Sequence, residues 1–260
     1  MPAVSDTPST PSPMAPSRTA RVAVVRTHPD RVLEDYGRVM DLAGYREVLS
    51  QDRDTIIKLN LSWTKYFPAC SSQPWQVDGV VTKMIGDGFE RQKLIPVENK
   101  TVVTEPREGC RNNRWEPVLT RNGLTFTPLP DVEWQVYPFK SPLLKLNDIF
   151  PEGIQVPSMY LGKQILHLPT VKTHGHAVMT GSVKNSFGGL LREVRHYAHK
   201  YMHEVLVDLL YMQQELHPAV FTVMDGTIAG DGAGPRTMIP RVRNLLLAAT
   251  DAVAIDAIAA

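Results

Sequence analysis

Cysteine is scarce in this chain: Cys70 and Cys110 are the only two among 260 residues, and they do not form a CxxC pair. That excludes a disulfide framework, a four-cysteine zinc site and a cysteine-ligated iron–sulfur cluster built from this chain alone. Two free thiols suit a cytoplasmic protein. Charge of one sign is also lacking, because 28 Lys and Arg stand against 27 Asp and Glu, a net charge of +1. No global field therefore favours nucleic acid or membrane as partner. No apolar run approaches the roughly 18 residues of a membrane span. The opening stretch, MPAVSDTPSTPSPMAPSRTA, lacks the basic start and apolar middle of a secretory signal. Rich in Pro, Ser and Thr and poor in large apolar groups, residues 1–19 are expected to form a disordered tail. Residues 20–260 are expected to form a single domain, with 43% hydrophobic residues to build its core.

Within that domain, short apolar runs alternate with helical spacing. Arg21–Arg26, Thr55–Asn60, Gln164–Leu168, Val220–Met224 and Asn244–Ala248 read as buried strands. Val32, Leu33, Tyr36, Val39 and Met40 recur at helical intervals, as do Val77, Val80, Val81, Met84 and Ile85. A long helix is expected over Glu193–Leu216, and a last one after an N-cap at Asp251. The middle is irregular: Leu94–Val97, Thr101–Thr104, Leu124–Thr127 and Val132–Phe139 suggest strands, and Asn112–Arg121 an interrupted helix. The pattern predicts an α/β fold, a mainly parallel sheet with helices on both faces.

Ligands of open α/β sheets sit beyond the carboxyl ends of the strands. Lys58 and Asn60, Lys172 and His174, and Asp225 all fall at such ends. The segment Lys172–Asn185 is the densest, reading as a loop of Lys, His, Gly and hydroxyl side chains. Lysine and histidine there supply positive charge and transferable protons, which points to a small carboxylate or phosphate ligand. His174, Lys184 and Asp225 are the candidate acid/base groups. Lys58, Asn60, Lys172, His176, Thr180 and Asn185 are candidate ligand contacts, with Gly232 and Gly234 offering backbone amides. His199 and His203, an i, i+4 pair, are weak metal candidates, and they lack the glutamate of a metalloprotease helix. His28, His167 and His217 are isolated and receive no role. A non-catalytic binding or accessory module is the alternative to an enzyme. The cofactor and the oligomeric state are left open.

Six motifs occur in order: Lys58-Leu-Asn60, Lys172-Thr-His174, Thr180-Gly-Ser-Val-Lys-Asn-Ser-Phe-Gly188, Val223-Met-Asp-Gly226, Gly232-Ala-Gly-Pro235 and Thr250-Asp-Ala-Val-Ala-Ile-Asp256. Together they resemble the family of domain of unknown function 362 from about residue 20 to the end. The resemblance implies a largely uncharacterised function, often beside a ferredoxin-like iron–sulfur module that these two cysteines cannot supply. It also implies that relatives continue beyond Ala260. More distantly, His174 and Lys184 are similar in spacing to a histidine and lysine of nickel-dependent lactate racemase, which implies a nickel-pincer racemase or epimerase.

Overall fold

A computed structural model describes residues 19–260, without the side chains of residues 193 and 194. Except for Thr19, the expected tail lies outside the described residues. Strand β1 (Val22–Arg26) leads through helices α1 (Val32–Leu42) and α2 (Tyr45–Val48) into β2 (Thr55–Lys58). Next come α3 (Pro74–Gly86), β3 (Leu94–Glu98), α4 (Pro106–Asn112), α5 (Trp115–Arg121) and β4 (Thr127–Pro128). A small antiparallel pair, β5 (Trp134–Val136) and β6 (Gln155–Pro157), flanks α6 (Leu146–Ile149). Strands β7 (Gln164–His167), β8 (Thr170–His174) and β9 (Val178–Met179) precede α7 (Gly181–Leu190) and α8 (Met202–Leu216). Finally β10 (Val220–Asp231) and β11 (Ile239–Ala249) form a long hairpin before α9 (Ala252–Ala259).

The main sheet runs β1-β11-β10-β7-β2-β3-β4, parallel from β10 to β4, with β11 antiparallel to both its neighbours. Parallel strands covered on both faces need apolar side chains on both, which is why β2 reads Thr-Ile-Ile-Lys without alternation. Ile57 and Leu59 belong to a core with α1, α3 and α5, while Ile56 belongs to a second core with α7 and α8. By the same alternation Lys58 and His167 point to the α7 side. Strand β8 takes over from β7 beyond Pro169 and pairs with the outer half of β10. This carries Lys172 and His174 past the edge of the sheet.

Several expected elements change. Only Met202–Leu216 of the expected long helix is α-helical; Glu193–Tyr201 is a 3-10 stretch. Met202, Val205, Leu209, Met212 and Leu216 give α8 a buried stripe. In the preceding stretch the Arg195 guanidinium instead donates to the carbonyls of Leu191, Arg192 and Lys100. Thr101–Thr104 is a turn closed by an isolated bridge, and the expected strands around 124 and 132 shrink to β4 and β5. The helix expected from Asn112 breaks at Arg114, where φ is 60°, separating α4 from α5. In the other direction, the last strand lengthens to Ile239–Ala249. Asp251 does cap α9, accepting from the amides of Val253 and Ala254.

The Lys172–Asn185 segment is not a loop, since it contains most of β8, all of β9 and the first turn of α7. Gly and Ser make α7 a poor helix by propensity, and tertiary contacts hold it. The carboxylate of Asp256 accepts from the amides of Ser182 and Val183, at 2.5 and 3.0 Å, and so covers the N-terminus of α7. A Cβ on Gly181 would lie 2.5 Å from that carboxylate, at a φ of +55°. Gly181→Ala is expected to cost more than about 1 kcal/mol, seen as a lower urea midpoint. An unchanged midpoint would show that the cap is dispensable.

Candidate functional site

At the carboxyl ends of β2, β3 and β8 lies a cavity of about 230 Å³, walled by α7 and the 3-10 stretch. Its floor is an ion pair. Lys58 Nζ donates to both oxygens of Glu98, at 2.8 and 2.9 Å, and to the carbonyl of Leu59. Glu98 also accepts from the amides of Leu61 and Asn99. Burial pulls the Lys58 pKa down and Glu98 pulls it back up, with a net fall. Neither side chain is more than 4% exposed.

Lys184, at the end of the first turn of α7, lines the cavity without an ion pair among the described residues. Its ammonium lies 5.0 Å from the centre of the Phe187 ring, and the Arg195 guanidinium lies 5.8 Å from the same ring. Burial, then the charges of Lys172, Arg195 and Lys58, lowers the Lys184 pKa to about 7.

Two histidines face this lysine with opposite tautomers, as their partners dictate. His174 Nδ1 accepts from the amide of His176 at 3.1 Å, so a neutral ring carries its proton on Nε2. His199 Nδ1 lies 3.0 Å from the carbonyl of His196, which requires an N–H there and leaves Nε2 bare. The rings stand 6.4 Å apart and nearly parallel. Burial, followed by Lys184 and Lys172, holds His174 down to about 3, and burial also lowers His199. Both are neutral at pH 7. One presents a donor and the other an acceptor.

Three oxygens at the wall lack hydrogen-bond partners: Asn60 Oδ1, Thr180 Oγ1 and Asn185 Oδ1. The orientation of Asn185 is fixed from behind. Its Nδ2 donates to the carbonyl of Lys58 and to His167 Nδ1, while His167 Nε2 donates to Gln213 Oε1 at 2.6 Å. Burial, then Lys58, depresses His167 to about 3, which keeps it neutral as this relay needs. His167, given no role from sequence, is thus a positioning residue.

Of the residues singled out from sequence, Lys58, Asn60, His174, Thr180, Lys184, Asn185 and His199 line the cavity. Lys172 lies behind the wall, donating to Ser62 Oγ and to the carbonyls of Cys70 and Pro235, with burial lowering its pKa to about 8. His176 is exposed, its ring 5.3 Å from that of His199. Gly232 and Gly234 fold against β8: Thr173 Oγ1 donates to the Gly232 carbonyl, and a Cβ on Gly234 would collide with Thr173. The cavity takes Pro235 and Arg236 from that loop instead.

Asp225 is elsewhere. It shares the sheet face of Phe221 and Val223, opposite α7, and accepts from Tyr36 OH, Trp75 Nε1 and Thr227. Burial raises its pKa. His203 is exposed on α8 and outside the cavity. Among the described residues no group of three His, Cys, Asp or Glu side chains is placed to hold a metal. His174 and Lys184, compared by spacing above, both line the cavity.

Sequence reasoning missed Glu98, Phe187 and Arg236. Glu98 carries the clearest signal, as a charged residue closing an apolar strand. Among the described residues no helix is long and apolar enough to cross a membrane. A comparison with curated proteins gives no match. The family described as a domain of unknown function (DUF362) matches residues 55–260, a range that takes in every residue of the cavity. The chain belongs to the DUF362 family, and the cavity lies wholly within the part that defines it.

Proposed function

We propose that the protein is an enzyme that captures a small carboxylate or phosphate in this cavity and moves a proton on it. The charge imbalance of the walls carries the reading. Lys58, Lys184 and Arg236 line the space with three histidines, and among the described residues the carboxylate that lines it, Glu98, is already paired with Lys58. An anion entering there gains charge-assisted hydrogen bonds in a partly desolvated site. Lys184 and Arg236 meet it, while Lys58 and Arg195 contribute field from anchored positions. Asn60, Thr180 and Asn185 orient it. His174 polarises an oxygen through Nε2–H, and His199 takes the proton on its bare Nε2. His174, only 6% exposed, stands in a closed setting beside Lys184, which supports chemistry over an open docking surface.

Lys184→Ala is expected to weaken inorganic phosphate or acetate binding by roughly tenfold to a hundredfold, with the circular dichroism spectrum unchanged. In the wild type, affinity falls as pH rises through about 7, because the ammonium that attracts the anion is lost. Titration calorimetry measures both effects. A folded variant with unchanged affinity would sink the proposal, and anion binding without turnover of any carboxylate or phosphate would leave a binding module.

A further inference from the structure

We infer that Lys184 is a nucleophile, forming an imine with an aldehyde or ketone carried by the bound anion. The ligand class narrows to oxo acids and carbonyl phosphates. This deepens the anion-site reading and rests on it.

Three lysines cluster around the cavity, and two are committed. Lys58 is locked to Glu98 and the Leu59 carbonyl, and Lys172 to Ser62 and two carbonyls. Among the described residues Lys184 has only the face of Phe187. No hydrogen bond has to break before its lone pair can attack. The charges that face it are Lys58, Lys172 and Arg195, and the neutral imidazoles are those of His174 and His199. Among the described residues, the carboxylate that lines the cavity, Glu98, is paired with Lys58. With its pKa near 7, roughly half of Lys184 is free amine at neutral pH, against well under 1% of an ordinary lysine. Desolvation beside other cations is a known way to activate a lysine amine.

The balance needs no oxidant or reductant. Nζ attacks the carbonyl carbon, and the N–C bond forms as the π pair moves onto oxygen. One Nζ proton passes through His199 Nε2 to that oxygen, giving a carbinolamine. The C–O bond then breaks, and the oxygen leaves as water with the second Nζ proton, which yields the imine. His174 Nε2–H polarises the carbonyl oxygen, and Arg236 at the mouth takes the anionic group. The unpartnered Asn60 and Asn185 oxygens are acceptors for the carbinolamine hydroxyl.

The test is reductive trapping. The protein is incubated at pH 7 with glyoxylate or glyceraldehyde 3-phosphate and cyanoborohydride, and the adducts are located by peptide mass mapping. Lys184 is expected to be labelled at least about tenfold faster than exposed Lys65 and Lys140. Inorganic phosphate should slow that labelling, and Lys184→Arg should abolish it while the surface lysines react as before. Labelling spread evenly over the lysines, or sparing Lys184, overturns the imine. If phosphate still binds in that case and Lys184→Ala weakens it, the anion site stands without the imine. If neither phosphate nor acetate binds, both fall.

Discussion

Glu98→Ala is expected to cost about 3–5 kcal/mol of folding stability, because it strands the Lys58 charge in the interior. Lys58 is 1% exposed and donates both bonds of its pair to this carboxylate. The amides of Leu61 and Asn99 lose their acceptor in the same variant. Lys58→Met alone leaves the Glu98 carboxylate without its counter-charge and is expected to be costly as well. Lys58→Met combined with Glu98→Ala removes both charges, so the double variant should lose much less than the sum of the two single variants. Urea unfolding of the four proteins measures this coupling. Additive losses would mean that the pair contributes nothing as a pair.

Acid is expected to unfold the protein progressively below about pH 6. Burial depresses His167 and His174 to about 3 and His217 to about 4, from an ordinary 6.5. Between those values the unfolded chain binds protons that the folded one refuses. Their contribution is therefore complete above pH 6.5 and is lost as pH falls towards 3 or 4. Two carboxylates act in the opposite direction: burial raises Asp256 to about 6 and also raises Asp225, so the folded state takes up protons there. Each of the three histidines removes up to roughly 1.4 kcal/mol per pH unit within its own window, and the raised carboxylates return part of that loss. His167→Gln removes one of the titrations and should flatten the slope, even though it loosens Asn185 and is less stable at pH 7. Parallel slopes for variant and wild type would show that His167 titrates normally in the fold.

The sheet and most of the cavity were legible because local signals suffice for them. Runs such as Val22–Arg26 and Thr55–Lys58 are strands on composition alone, the second fully buried and the first a half-exposed edge, and Asp251 announces its helix. Lys58, Asn60 and His174 could be brought together by the strand-end rule without any contact being known, and Lys184 by its place in the dense segment that follows. What stayed hidden depends on neighbours distant in sequence. Helix α7 looks like a loop because its Gly and Ser residues are weak helix formers, and its cap, Asp256, comes 74 residues after Ser182. Glu98 matters only once β3 lies beside β2. Arg195 and His199 reach the cavity because their stretch abandons the α-helix. Asp225 was misplaced for a reason the sequence does contain: Phe221, Val223 and Asp225 share a parity, and the first two are core residues of the α1 side.

The cavity has a floor inside the sheet and a rim outside it. Lys58 and Glu98 belong to central strands, whereas Val102, which is 81% exposed, and Arg236 belong to turns that contribute nothing to the apolar cores. Substitutions at the rim can change what enters at little cost in stability, while substitutions at the floor endanger the molecule itself. Members of the lineage are therefore expected to diverge in ligand preference through these turns, and to inherit the Lys58–Glu98 floor almost unaltered.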